Sequence, residues 1–205
     1  MRKFAIIAVA LALGTASSVA LADGGNFFVN ANAGASHYNV ENPYSGIEGN
    51  SFSKTGKAGA LRVGYRWNSV VDYGVEAGYG FLGNAVAREA PGPGYSIERQ
   101  QVQTRGWLLG GNLNYNITDQ WYVGARAGWF RGRSLYEYRF VSYLGGVTSS
   151  RDAVTRTGEY FGVGGGYNFN KNFSLGLAYD TYRAPVSDDK SNRIGMYSLQ
   201  AEYRF

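Results

Sequence analysis

The chain has few residues that could perform covalent or metal chemistry. It contains no cysteine and a single histidine, His37, which follows Ser36. Nucleophilic catalysis by a hydroxyl group needs a base within hydrogen-bond reach and a group that orients the base. No cluster of carboxylates accompanies His37 in the sequence, and a chain without cysteine has no thiolate metal site and no disulfide. We therefore expect no enzyme activity and no cofactor.

Charged side chains form a second group of candidate functional residues. They recur in segments in which apolar and polar residues alternate. Each occupies the glycine-rich and polar side of its segment, which would line the interior of a closed sheet. Buried charges must be paired, so we predict an ion-pair network in that interior. Of a fixed polar core and a gate whose partners exchange, we favour the fixed core. The predicted members are Arg62, Arg66, Glu76, Arg126, Asp180, Glu202 and Arg204.

Eight segments with alternating apolar and polar residues would position these charges. This alternation is typical of a β-strand with one apolar face. The segments are residues 26–38, 58–67, 73–81, 105–116, one that starts at Trp121, 159–169, 173–182 and 194–205. Short connections alternate with long polar ones, which are residues 41–57, 82–104, 143–157 and 183–193. The rhythm predicts an all-β fold, an eight-stranded antiparallel up-and-down transmembrane β-barrel.

Aromatic residues on the apolar face support the membrane interpretation, because aromatic side chains are enriched where a membrane meets water. The set beside the short connections and at the C terminus predicts a periplasmic girdle: Trp67, Tyr73, Tyr115, Trp121, Phe169, Phe173 and Phe205. A second set predicts an outer girdle: Phe81, Trp107, Trp129, Phe161 and Tyr179. Between Trp121 and Trp129 the height is about 20 Å at ~3.4 Å per residue and a tilt of roughly 40°. A soluble lipocalin-like barrel would instead place its apolar residues inside.

The N terminus has the pattern of an export signal. A short basic segment precedes an apolar run over residues 4–13, and residues 20–22, Ala-Leu-Ala, provide small side chains at the positions that a signal peptidase reads. We expect residues 1–22 to be a cleaved signal peptide and residues 23–205 to be the barrel domain. The apolar run is about half of the roughly 20 residues that a transmembrane helix needs.

The charge of the exported chain is nearly balanced. The whole chain has 20 basic and 15 acidic side chains, and loss of Arg2 and Lys3 with the signal leaves 18 against 15. This balance, together with export, gives no reason to expect a nucleic-acid partner. The 30 glycines and 17 tyrosines suit a sheet with small side chains on one face and aromatic ones on the other.

The final segment ends in Tyr203-Arg204-Phe205 and resembles the closing strand of bacterial outer-membrane barrels. With the alternation and the turn rhythm, residues 26–205 resemble the OmpA-like transmembrane domain and the OmpX/Ail group. Residues 179–183, Tyr-Asp-Thr-Tyr-Arg, are similar to the end of the seventh strand in the OmpA-like domain.

The resemblance carries expectations about location, partners and role. It implies the bacterial outer membrane, contact with outer-membrane lipid and lipopolysaccharide, and recognition of the C-terminal strand by the barrel-assembly machinery. Proteins of these groups stabilise the envelope, act in adhesion or defence, or form small diffusion pores. Since no peptidoglycan-binding domain follows Phe205, we expect no tether to the cell wall.

Beyond Trp129 the alternation continues to Phe140 and predicts a hairpin that projects past the membrane. Arginine forks suit the phosphates of lipopolysaccharide, and tyrosines suit a carbohydrate or protein partner. The alternative is an ordinary solvated rim. The candidate contacts are Arg105, Arg131, Arg133, Tyr136, Tyr138 and Arg139.

Two functions are compatible with this pattern. The first is a structural and surface-interaction barrel whose lumen is closed by ion pairs, as the charges at one level indicate. The second is a narrow porin-like channel for small solutes, for which the inward glycines would leave room.

Overall fold

The computed structural model describes residues 24–39, 50–89, 96–185 and 191–205, so the predicted signal peptide, residues 1–22, lies outside the described residues. Nine β-strands account for nearly all of the described chain, which confirms the all-β prediction. Their bounds are β1 Gly25–Tyr38, β2 Asn50–Ser53, β3 Thr55–Trp67, β4 Asp72–Glu89, β5 Ile97–Asn116, β6 Trp121–Val141, β7 Val147–Asn168, β8 Phe173–Pro185 and β9 Ser191–Arg204. Within these described parts, no helix is long and apolar enough to cross a membrane.

Eight of the strands close into a ring. Their order is β4-β3-β1-β9-β8-β7-β6-β5, and pairing between β4 and β5 closes the sheet. Every pairing is antiparallel. The short strand β2 pairs with the upper part of β4 and is separated from β3 by Lys54. The predicted eight-stranded meander is therefore confirmed, with one strand divided into two pieces.

The ring closes with a stagger that determines which side chains meet inside. Directly paired residues lead from Arg62 through β4, β5 and β6 to Gly158 on β7. In the other direction, through β1, β9 and β8, they lead from Arg62 to Asn168 on β7. The stagger is thus 168 − 158 = 10 residues. Strand number and stagger together set the tilt and the radius, and eight strands leave an interior that side chains can fill.

Three strands, β4, β5 and β7, continue far beyond their predicted ends, whereas β6 extends past Trp129 to Val141 as the projecting hairpin predicted. β4, β5, β6 and β7 rise above the ring as a sheet, with β2 on its β4 edge. We call this the rim sheet: β2, β4 from Asn84, β5 to Thr104, β6 from Arg131 and β7 to Thr157. The loop predictions over 82–104 and 143–157 were wrong for most of their length, and the described parts of 41–57 and 183–193 are also mainly strand.

The loop predictions failed for two physical reasons. Above a membrane the outward face of a strand meets water instead of lipid, so the alternation that reveals strands inside the membrane fades. In β4 a register shift between Phe81 and Asn84, where Gly83 has a φ of 74°, also changes the phase of the alternation. Glycine adopts this left-handed conformation at little cost.

The outer surface of the ring is a belt of exposed apolar side chains. Trp107, Trp129 and Leu177 are 67%, 65% and 69% exposed. The aromatic residues predicted for the periplasmic girdle lie beside the short turns, where Trp67 stacks on Tyr73 at 5.5 Å between ring centroids. A contiguous exposed apolar belt of this size is unfavourable in water and suits the hydrocarbon of a membrane.

Candidate functional site

Arg62 is the centre of the charged cluster inside the ring. Its side chain is fully buried. Its Nε lies 3.5 Å from Glu76 Oε1, and its Nη2 lies 3.8 Å from Asp180 Oδ2. Nη2 also donates a hydrogen bond of 2.8 Å to the Tyr182 hydroxyl, and Nη1 donates to Asn32 Oδ1. One guanidinium therefore connects residues of four strands.

Two further ion pairs have the bidentate geometry that strengthens arginine–carboxylate contacts. Arg126 donates from Nε and Nη2 to the two oxygens of Asp180, at 2.6 and 2.8 Å. Arg66 donates from Nη1 and Nη2 to the two oxygens of Glu202, at 2.7 and 3.1 Å. We call these three arginines and three carboxylates the lumen network: Arg62, Arg66, Glu76, Arg126, Asp180 and Glu202.

Gly162 gives the pair of Arg126 and Asp180 the space to close. It lies directly opposite Arg126 on β6 and directly opposite Asp180 on β8. A Cβ atom at this position would collide with both side chains. The glycine is therefore needed for a close approach across the strand between the two partners.

Arg204, the seventh predicted member, lies outside the lumen network. Its Nη2 donates to Asn168 Oδ1 at 2.9 Å, and no carboxylate of the described residues lies within ion-pair distance of it. Arg204 follows Glu202 by two positions on a strand that descends to the periplasmic mouth. It therefore reaches a rim lined by amides instead of the carboxylates above, and the predicted ion pair is wrong for this residue.

A layer of apolar side chains fills the lumen on the outer side of the network. Sequence reasoning did not identify it, although several members occupy the inward phase of the predicted strands. Each member is at most 2% exposed. We call it the apolar layer: Tyr38, Leu82, Leu108, Phe130, Tyr160, Tyr182, Ile194 and Met196.

Tyrosine hydroxyls attach the apolar layer to the lumen network. The Tyr160 hydroxyl donates to Glu76 Oε1 at 2.7 Å, and the Tyr182 hydroxyl accepts from Arg62. The rings pack on one another, with 6.0 Å between the centroids of Tyr160 and Tyr182 and 5.3 Å between those of Phe130 and Tyr182. At the top of the layer, the Tyr38 hydroxyl donates a hydrogen bond of 2.9 Å to the backbone carbonyl of Gly83.

Below the apolar layer, the lumen network borders a small polar cavity. The cavity measures about 30 Å³, and its lining includes Asn30, Asn112, Arg126 and Gln200. This is space on the scale of one water molecule. The interior therefore contains a little room for water beneath the packed side chains of the apolar layer.

The rim sheet has two chemically different faces. Arg131, Arg133 and Arg139 share the outward phase of exposed Trp129, whereas Tyr136 and Tyr138 share the inward phase of buried Phe130. Burial accordingly raises the pKa of Tyr136. Residues of opposite parity on a strand point to opposite faces, so the arginines and these tyrosines do not share one contact surface.

Three arginines stand on the outward face directly above the outer girdle. Arg105 and Arg133 are paired across β5 and β6, and Arg131 is paired with Trp107. All three are exposed, and among the described residues no carboxylate forms an ion pair with them. We call these three residues the arginine collar.

His37 is exposed near the outer end of β1, where its cross-strand neighbours are Thr55 and Gly195. Neither of these two neighbours carries a carboxylate that could orient it as a base. In the part of the chain that the structure describes, no group of three or more histidine or acidic side chains could hold a metal ion.

The closed ring and its apolar belt agree with the result of a family comparison. Residues 6–205 match the family described as outer membrane protein beta-barrel domain. The chain belongs to this family. The predicted outer-membrane β-barrel is thereby confirmed, and the chain is an integral protein of the bacterial outer membrane.

Solved structures of other outer-membrane proteins align with most of this family member. Ail of Yersinia pestis, in complex with the heparin analogue sucrose octasulfate, is 16% identical over 90% of this chain and 100% of its own, with a TM-score of 0.48. Neisserial surface protein A is 15% identical over 89% and 100%, with a TM-score of 0.43. OprG of Pseudomonas aeruginosa is 10% identical over 88% and 96%, with a TM-score of 0.49. No curated protein matches the chain.

Proposed function

We propose that this barrel is a closed structural protein that acts at the outer surface, where the arginine collar binds lipopolysaccharide. Its role is then envelope integrity, adhesion or defence, with a surface protein or carbohydrate as a further ligand of the outer loops. The observation that carries this proposal is the position of three arginines, with no acidic partner among the described residues, immediately above the outer girdle.

The collar has the charge, geometry and height that the phosphates of lipid A require. Arg105 and Arg133 are directly opposite each other, and like charges in this arrangement repel. An anion between them would remove the repulsion, and guanidinium groups bind phosphate through two parallel hydrogen bonds. Because the outer girdle marks the membrane interface, residues just above it are level with the lipid phosphates.

Neutralising the collar is expected to weaken binding of lipopolysaccharide by at least about tenfold, because each arginine near an anionic surface contributes about 1 kcal/mol. The variant is Arg105→Gln/Arg131→Gln/Arg133→Gln, titrated with deep-rough lipopolysaccharide, which has lipid A and little core sugar. A matched control, Arg151→Gln/Arg156→Gln/Arg183→Gln, removes the same charge elsewhere on the rim. Equal affinities of the two variants would contradict the proposed role of the collar.

Closure of the lumen is the second element of the proposal. The lumen network fills the interior with paired charges, and the apolar layer closes it again on the outer side. The narrow channel remains the competing function, since the small polar cavity beneath the apolar layer could belong to a path for solutes.

Recordings in planar bilayers are expected to show no discrete conductance for the wild type, Arg62→Ala or Glu202→Ala. The two variants open only the charged level, and the apolar layer stays in place. Protein purified from outer membranes should be used, because its mass also tests the proposed cleavage that removes residues 1–22. Discrete steps in the wild type, altered by either substitution, would establish the channel and reject the closed lumen.

Two further proposals concern the assembly of the barrel in the membrane and its lack of catalytic activity. We propose that the barrel-assembly machinery recognises β9, which supplies the strand between β1 and β8 that completes the ring. We also propose that the protein has no catalytic role, which the exposed and isolated position of His37 supports.

A further inference from the structure

A second row of arginines crosses the rim sheet farther from the membrane. Arg88 on β4 is directly opposite Arg99 on β5, which is directly opposite Arg139 on β6. A serine flanks the row at each end: Arg88 is also paired with Ser51, and Arg139 is also paired with Ser149. All three arginines are exposed. We call Arg88, Arg99 and Arg139 the arginine row.

Within the described chain, the protein does not neutralise this row. Paired residues of adjacent strands have Cα atoms roughly 4.5–5.5 Å apart, so three like charges are brought together. No described carboxylate lies within ion-pair distance of the three guanidinium groups. Glu137, the acidic residue nearest to Arg139 on this face of β6, is already paired with Arg151 at 2.9 Å. Three like charges therefore lie side by side with no carboxylate of the described residues to balance them, an arrangement that an anionic ligand would stabilise.

The arginine row lies in a groove with the composition of a site for a charged sugar. The groove has a volume of about 540 Å³. Apolar side chains flank the arginines and can pack against the C–H faces of a pyranose ring, while serine hydroxyls can hydrogen-bond to its oxygens. Besides the arginine row, the groove is lined by Ser51, Ser53, Val86, Ile97 and Val141.

The height and direction of the row select one source of anionic sugar. Arg99 lies six residues above Arg105 along β5, which is about 15 Å of height at ~3.4 Å per residue and a tilt of roughly 40°. The row shares the outward face of the collar, so it points over the surrounding leaflet. In that leaflet the lipid A phosphates are at the interface, and the core saccharide of lipopolysaccharide is above them.

We propose that the arginine row is a second anion site, which binds phosphate groups on the core saccharide of lipopolysaccharide. The collar holds the lipid A phosphates of the same layer, so this inference rests on the proposed function. The two tiers would bind one layer of lipopolysaccharide at two heights. The row would then select for a phosphorylated core, while the collar would bind any lipid A.

Binding of two forms of lipopolysaccharide tests this division of roles. The wild type is expected to bind a form with a complete phosphorylated core about tenfold more tightly than the deep-rough form, because the row adds cationic contacts near the anionic surface. Arg88→Gln/Arg99→Gln/Arg139→Gln should abolish this preference and leave the affinity for the deep-rough form unchanged. The substituted side chains are exposed, so the barrel should fold, which retained heat-dependent gel migration would verify.

Two further binding measurements test whether the row recognises phosphate. A complete core from which the phosphates have been removed should be bound no more tightly than the deep-rough form, whereas retained preference would overturn a phosphate site. The variant Arg88→Lys/Arg99→Lys/Arg139→Lys keeps the charge and loses the forked geometry, so it should retain part of the preference.

The binding measurements distinguish a wrong assignment of the arginine row from a wrong assignment of the arginine collar. If the Gln variant of the row kept the preference for the phosphorylated core, the row would not be a phosphate site, whatever the collar binds. If the Gln variant of the collar bound the deep-rough form normally, the proposed function itself would fail.

Discussion

Replacing Arg62 by alanine is expected to destabilise the folded barrel by about 3–5 kcal/mol, the range for removing one partner of a buried ion pair. Arg62 is fully buried and lies within ion-pair distance of both Glu76 and Asp180. Its removal leaves Glu76 without an arginine partner, whereas Asp180 keeps its two hydrogen bonds from Arg126. Urea unfolding of the barrel in lipid vesicles, followed by tryptophan fluorescence, measures the change in free energy.

Two companion variants show whether the loss comes from an unpaired buried charge. Arg183→Ala breaks the exposed pair with Glu159 and should cost no more than about 1 kcal/mol. Arg62→Met/Glu76→Gln should recover part of the stability, because the carboxylate that has lost its partner is then neutral. An Arg62→Ala variant as stable as Arg183→Ala would mean that the lumen network is not a fixed core and that its partners can exchange.

Placing an arginine on the outer surface at Leu177 is expected to destabilise the barrel by about 2–4 kcal/mol, the cost of a cation on the lipid face near the middle of a membrane. Leu177 is 69% exposed and is located on β8 between Phe173 of the periplasmic girdle and Tyr179 of the outer girdle. Leu177 is two residues from Tyr179 and four from Phe173, so the guanidinium must extend toward the outer interface and the cost is expected at the lower end of this range. The same unfolding measurement in vesicles applies.

The control for Leu177→Arg is the same substitution outside the membrane. Leu144 is 80% exposed in the turn between β6 and β7, where Leu144→Arg should change stability by less than about 0.5 kcal/mol. Equal stability of the two variants would show that Leu177 does not face lipid. The tilt and height assigned to the strands would then need revision.

The sequence predicts the membrane-spanning part of the fold well because lipid imposes a strict pattern. One face of every strand must be apolar and the other can be small or polar, so period two reveals both the strands and their facing. The inward position of Arg62 and the outward position of Leu177 follow directly from that phase. Apart from β6, the rim sheet was assigned to loops because its outward face meets water instead of lipid, which removes the requirement, and the register shift at Gly83 hides what remains.

Alternation within each strand was enough to indicate the inward charges, the aromatic girdles and the arginines beyond Trp129. The partners of those charges were decided by the tertiary structure. Arg66 pairs with Glu202, 136 positions away, although Glu76 is nearer in the sequence. Likewise, the apolar layer and the arginine row each combine residues from several strands. Their meeting depends on the ten-residue stagger of the closed ring and on the extension of β4 to β7 above it. Closure and stagger are properties of all the strands together, so no single segment encodes them.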